Sequence, residues 1–144
     1  MKSKFLVFIQ FFSIFLMLLP IGIKTSQYLF IGLFIVLIGI SVGILALSKN
    51  QLGNFNVRPI IKENCSLITT GIYSYIRHPM YTSVLVSMFG VLLIDMNIFK
   101  IIIYAVLLLN ILVKMFYEES LWLCKSQEYL LYTKNTKRLI PYIF

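Results

Sequence analysis

Four apolar runs dominate this chain, and its polar residues collect between them. The runs are Phe5 to Ile23, Tyr28 to Leu47, Met80 to Ile94 and Ile98 to Tyr117. A helix rises ~1.5 Å per residue and a bilayer core is ~30 Å thick, so about 20 apolar residues cross it. The first, second and fourth runs meet that length; the third is short for a span. The pattern predicts an all-α integral membrane protein with about four transmembrane helices. They form one membrane domain over residues 1–144, with two helices in 1–51 and a second region in 52–144.

The breaks between runs carry their own signals. Lys2 and Lys4 ahead of an apolar run resemble a secretion signal, but no small-residue cleavage site follows Pro20-Ile21-Gly22-Ile23, which favours a retained helix. Gly39 and Gly43 form a small-xxx-small pair that permits close helix approach; as ordinary membrane-helix glycines they need no such role. Ser48 to His78 is polar and interrupted by Pro59 and Pro79. Thr69 or Thr70 can cap a short turn reaching Tyr75. His78 precedes proline and is pushed out of helical geometry, while Pro79 suits the first position of a helix. Asp95-Met96-Asn97 reads as a tight turn, so the last two runs form an antiparallel helical hairpin. That hairpin brings Arg77-His78 and Glu118-Glu119 to the same side of the membrane.

Charge sets the orientation. With the N-terminus inside, eleven basic residues fall on cytoplasmic segments and two, Lys24 and Lys100, fall outside. The positive-inside rule then places both termini and both polar clusters in the cytoplasm, as in the cytoplasmic membrane of a prokaryote. The same rule accounts for the net charge of +8 without nucleic acid. Only 12% of residues are charged, against roughly 25% in soluble domains, and mean hydropathy is +0.91. Cys65 and Cys124 lie far apart with no metal-ligand spacing, so neither a metal nor a disulfide is indicated. The tail from Cys124 to Phe144 mixes tyrosines, leucines and lysines. It reads as an interfacial segment with snorkelling lysines, the alternative being a flap over a site.

The candidate chemistry lies at the shared end of the hairpin. Asn110, Lys114 and Glu118 are spaced by four and share a helix face, where Glu118 can pair with Lys114; Glu119 turns toward the face of Met115. Arg77 offers a planar fork for a carboxylate or phosphate, and the helix beginning at Pro79 offers free amides to an anion. The glutamates can accept from hydroxyls or a cationic amine. The pattern predicts donors on one wall and acceptors on the other, matched to a zwitterionic ligand with hydroxyls. His78, the one histidine of the chain, is the one candidate base.

Leu67-Ile68-Thr69-Thr70-Gly71-Ile72-Tyr73, Arg77-His78-Pro79-Met80-Tyr81, Glu118-Glu119, Glu128-Tyr129 with Tyr132, and Leu139-Ile140-Pro141 together resemble the isoprenylcysteine carboxyl methyltransferase and phospholipid methyltransferase superfamily. The resemblance covers about Leu52 to Pro141. It implies a membrane enzyme that uses S-adenosylmethionine to methylate a lipophilic or membrane-associated acceptor: a carboxylate, amine or thiol. Carried over by position, it implies cofactor contacts from Leu67, Thr70, Gly71, Tyr73, Arg77, His78, Tyr81, Glu118 and Glu119, with Arg77 and His78 catalytic. Lys125-Ser126 departs from the phenylalanine and glycine usual before the Glu-Tyr. Two other classes fit parts of the pattern: an NADPH-dependent membrane sterol reductase, which has a similar Arg-His loop, and a small four-helix transporter or scaffold. The proline and the adjacent glutamates favour the methyltransferase.

Overall fold

The computed structural model describes residues 2–20, 27–50 and 67–144, and these are all-helical with no strand. Pro59, Arg58, Lys62, Cys65 and Lys24, which enter the sequence reading, lie outside the described residues. The helices are α1 (Lys2–Leu18), α2 (Leu29–Lys49), α3 (Pro79–Ile94), α4 (Ile98–Lys125) and α5 (Gln127–Asn135), with a 3-10 turn at Gly71–Ser74.

Two helices, α2 and α4, are long and apolar enough to cross a membrane. Their 21 and 28 residues correspond to ~32 and ~42 Å of rise. The 17 residues of α1 and 16 of α3 give ~26 and ~24 Å, short of a full hydrocarbon core. Phenylalanines 5, 8, 11, 12 and 15 of α1 and Phe30, Phe34 and Leu37 of α2 face outward. An apolar surface of that extent is exceptional in a soluble monomer and suits contact with lipid tails.

The fourth run does not end at Tyr117. Glu118, Glu119, Ser120 and the residues to Lys125 continue α4, so the glutamate pair sits inside a helix rather than at its end. Glutamate, leucine and lysine are all good helix formers, which explains the extension. The turn at 95–97 is as expected: the Asn97 side chain accepts from Lys100 N at 2.9 Å and caps α4. Lys100 also pairs with Asp95 at 2.8 Å.

Although α3 and α4 are joined by the tight turn, the most intimate neighbour of α3 is α2, along a stripe of small residues. A Cβ added at Gly39 would lie 2.6 Å from Ser87 N, and one at Gly90 would lie 2.6 Å from Gly32 O. Ser83 Oγ donates to Gly39 O at 2.8 Å across this contact. The close-approach reading of Gly39 and Gly43 therefore holds, and α3 supplies the complementary small residues. On the other side of α3 lies the core, where Met17 of α1 meets Leu85 and Leu92 of α3 and Leu107, Ile111 and Met115 of α4.

Candidate functional site

The site forms where the loop before α3, the upper part of α4 and the C-terminal tail meet. Gly71 starts the 3-10 turn with a positive φ of 66°, a conformation that costs other residues but not glycine. Thr70 occupies the cap position of this turn, but its side chain makes no capping bond, so the turn rests on backbone geometry. His78 then takes non-helical angles (φ −122°, ψ 55°) and Pro79 opens α3. That kink turns Arg77 and His78 toward α4.

Glu119 is the centre of the cluster. Its Oε1 accepts from Arg77 Nε at 2.9 Å and its Oε2 accepts from Arg138 Nε at 2.9 Å. His78 Nε2 lies 3.4 Å from Glu119 Oε1 but out of line for a hydrogen bond, so it is a buried polar atom without a bonding partner. Arg77 Nη1 donates to the carbonyl of Thr136 and, at 3.3 Å, to that of Thr133. Glu118, half-buried, accepts from the Tyr81 hydroxyl at 2.8 Å. The Tyr81 ring stacks on His78, with centroids 5.4 Å apart and planes 15° from parallel.

The tail closes this arrangement. Residue 137 pairs with residue 76 in a parallel bridge; Arg77 N donates to Lys137 O at 2.7 Å and His78 N to Arg138 O at 3.0 Å. Tyr132 donates its hydroxyl to Tyr73 O at 2.5 Å, and Thr82 donates to Leu139 O at 2.9 Å. Trp122, Tyr129 and Tyr132 form an aromatic ladder that fixes α5 to the end of α4. Burial pushes the hydroxyl pKa values of Tyr129 and Tyr132 above the ordinary 10.0, and nearby Glu119 adds to the rise at Tyr129. Tyr73 is raised by burial first and by Glu118 second.

Six of the nine expected residues thus gather: Tyr73, Arg77, His78, Tyr81, Glu118 and Glu119. Leu67 and Thr70 lie just before the 3-10 turn that Gly71 begins, Thr70 being exposed and Gly71 lying against the Lys49 side chain. Three expectations need correction. The opposed donor and acceptor walls are in direct contact, because Arg77 and Glu119 neutralise each other. The amides at the start of α3 are largely engaged: His78 N bonds the tail, Tyr81 N and Thr82 N bond His78 O, and Pro79 has no amide hydrogen. The tail is not merely an interfacial segment, since Tyr129 and Tyr132 are buried in the site.

Arg138 is the residue that sequence reasoning missed. It was counted as a topology charge, yet it binds Glu119 between the rings of Phe116 and Phe144; Lys114, read on one face with Asn110 and Glu118, lies in the field of Glu118 and is buried within the bundle. The signal for Arg138 was its place immediately before Leu139-Ile140-Pro141.

Residues 9–126 match the phospholipid methyltransferase family. The chain belongs to that family. Membership places it in the isoprenylcysteine carboxyl methyltransferase superfamily and points to a membrane methyltransferase. The match begins well before Leu52, taking in most of α1 and all of α2, and stops before the tail that covers the site. No curated protein matches the chain.

Proposed function

We propose that this family member is an S-adenosylmethionine-dependent methyltransferase. Helices α1 to α4 lie in a cytoplasmic membrane, the shorter α1 and α3 beside the spanning α2 and α4; its site lies at the cytosolic end, and its acceptor is a lipophilic or membrane-associated small molecule. The observation that carries this reading is the joining of the Arg77-His78-Pro79-Met80-Tyr81 loop to Glu118-Glu119 in one buried cluster.

The residues present fit the cofactor. The Tyr129 hydroxyl and His78 Nε2, which lies 3.4 Å from Glu119 Oε1, are buried polar atoms without a hydrogen-bond partner, and each can serve a ligand's amine, hydroxyl or ring nitrogen. Glu118 is a half-buried carboxylate with acceptor capacity beyond its bond from Tyr81. When bound, the sulfonium supplies an electrophilic methyl group. His78 and Glu118 hold the cofactor's polar groups, and the Tyr81 face offers cation–π attraction of ~0.5–2 kcal/mol to a positive centre. Arg77 acts differently from the carboxylate fork expected of it: its Nε and Nη1 anchor Glu119 and the tail. The tail excludes water from the cluster. A carboxylate or thiolate acceptor reacts without a base; for an amine or hydroxyl acceptor, His78 takes the proton.

Calorimetric titration of S-adenosylmethionine into the protein in lipid nanodiscs tests the reading, with His78→Ala and Glu118→Ala alongside. Saturable binding, lost in both variants, is the expected result. Binding of NADPH but not S-adenosylmethionine by folded wild-type protein overturns it in favour of a reductase.

A further inference from the structure

Tyr81 is held from a side that its proposed cofactor contacts do not require. Lys114 reaches it from α4, with Nζ 5.3 Å from the ring centroid. The Lys114 side chain is essentially inaccessible, 1% exposed, and its ammonium donates to Gln10 Oε1 of α1 at 2.5 Å. One turn earlier on α4, Asn110 Nδ2 donates to Leu6 O of α1 at 3.0 Å. Two successive turns of α4 are therefore tied to two successive turns of α1.

An ammonium at this depth is costly to bury, and the α1–α4 contact does not depend on one. Asn110 already supplies an interhelical hydrogen bond, and Met17 packs into the core with Leu107 and Ile111. What the charge adds is directional. It faces the negative π-face of Tyr81, and drawing electron density from the phenol strengthens the hydroxyl as a donor to Glu118. The Tyr81 ring also stacks on His78. Gln10, Lys114, Tyr81 and then His78 and Glu118 thus form one connected series from the first helix to the site.

We infer that Lys114, oriented by Gln10, is a positioning residue that fixes Tyr81 and through it His78 and Glu118, so that α1 is part of the catalytic apparatus rather than only a membrane anchor. The inference rests on reading this cluster as the cofactor site.

The test uses the full chain in nanodiscs, labelled with 3-fluorotyrosine, with the Tyr81 fluorine resonance identified by its absence in Tyr81→Phe. Lys114→Met is expected to shift that resonance and to weaken S-adenosylmethionine binding roughly tenfold, the equivalent of one good cation–π contact. Lys114→Arg restores most of the affinity, and Gln10→Met gives a smaller loss in the same direction. In a Tyr81→Leu background, Lys114→Met adds nothing. Lys100→Met, which breaks the Asp95 pair at the far end of α4, controls for general loosening.

The inference is overturned by an unmoved Tyr81 resonance, by unchanged affinity in Lys114→Met while wild type binds, by additive losses with Tyr81→Leu, or by an equal loss in Lys100→Met. Should Lys114→Met not fold, Lys114→Arg and Gln10→Met decide by the same readouts. Failure of the wild type to bind S-adenosylmethionine is a separate result: it removes the cofactor reading and this inference with it.

Discussion

Glu119→Gln keeps the shape of the side chain and removes its charge. In the native site that charge serves two guanidinium groups. One, on Arg77, has a side chain only 6% exposed; the other, on Arg138, is 36% exposed. Removing one partner of a buried pair costs ~3–5 kcal/mol, because the remaining ion stays buried without compensation. The Arg138 contribution is discounted for its exposure to ~0–1 kcal/mol. The amide of glutamine also turns a donor toward one of the two guanidinium groups, which can only donate. The total is therefore ~3–5 kcal/mol, carried mostly by Arg77, and it falls on the junction between the loop and the tail. Hydrogen exchange in nanodiscs reads that junction directly. The amides of Arg77, His78 and Lys137 cross it, bonding to Lys137 O, Arg138 O and Tyr75 O. If they exchange by release of the tail, a loss of ~3 kcal/mol accelerates them on the order of a hundredfold. Thermal unfolding should fall by roughly 6–20 °C for a chain of this size. Exchange within threefold of wild type at all three amides, with an unchanged melting temperature, would refute the claim that Glu119 joins these segments.

Gly39→Val places methyl groups where Ser87 N would already be 2.6 Å from a Cβ, so α2 and α3 must separate; a loss of ~1–3 kcal/mol is expected in thermal unfolding, and a stability equal to wild type would show that the stripe is not close-packed. Alkaline pH should release the tail: Tyr129 and Tyr132 have folded pKa values raised above 10.0, so their contribution is complete below about pH 10 and is lost as pH rises toward the folded values. Fluorescence of Trp122, the single tryptophan, reports this through its stacking on Tyr129, and Tyr129→Phe should weaken the alkaline transition.

The helices were legible in the sequence because each apolar run has a chemical stop: Pro79 and Asn97 begin α3 and α4, and the glycines of α2 announced a close neighbour. The position of the cluster was legible too, since a short hairpin turn leaves Arg77-His78 little choice but to meet the Glu118 region. What the sequence could not supply was which face of a helix a residue occupies relative to its partners. Spacing set Lys114 on one face of α4 with Asn110 and Glu118, and depth along the helix made it a topology charge as well; only the approach of Gln10 on α1 makes it a buried one. The tail failed for a related reason. Mixed tyrosines, leucines and lysines suit an interface by composition, and nothing local distinguishes that from a cap whose Tyr132 bonds a segment some sixty residues earlier.

The same long-range closure bears on how the site is divided between scaffold and chemistry. Arg77, Glu119 and Arg138 are bonded to one another and to the tail, in an arrangement complete without a ligand. His78 Nε2, the Tyr129 hydroxyl and the second half of Glu118's acceptor capacity are left over. Buried polar atoms without a hydrogen bond are rare and costly, and they persist where something else supplies one; for His78 the Glu119 carboxylate 3.4 Å away offsets part of that cost. On the proposed function, the charged trio builds the wall and the neighbouring His78, Tyr81 and Glu118 face the cofactor. On this division, substitutions in the trio should damage stability and binding together. Substitutions at His78 or Glu118 should damage binding while leaving the tail in place, a separation that hydrogen exchange and calorimetry on the same variants can measure.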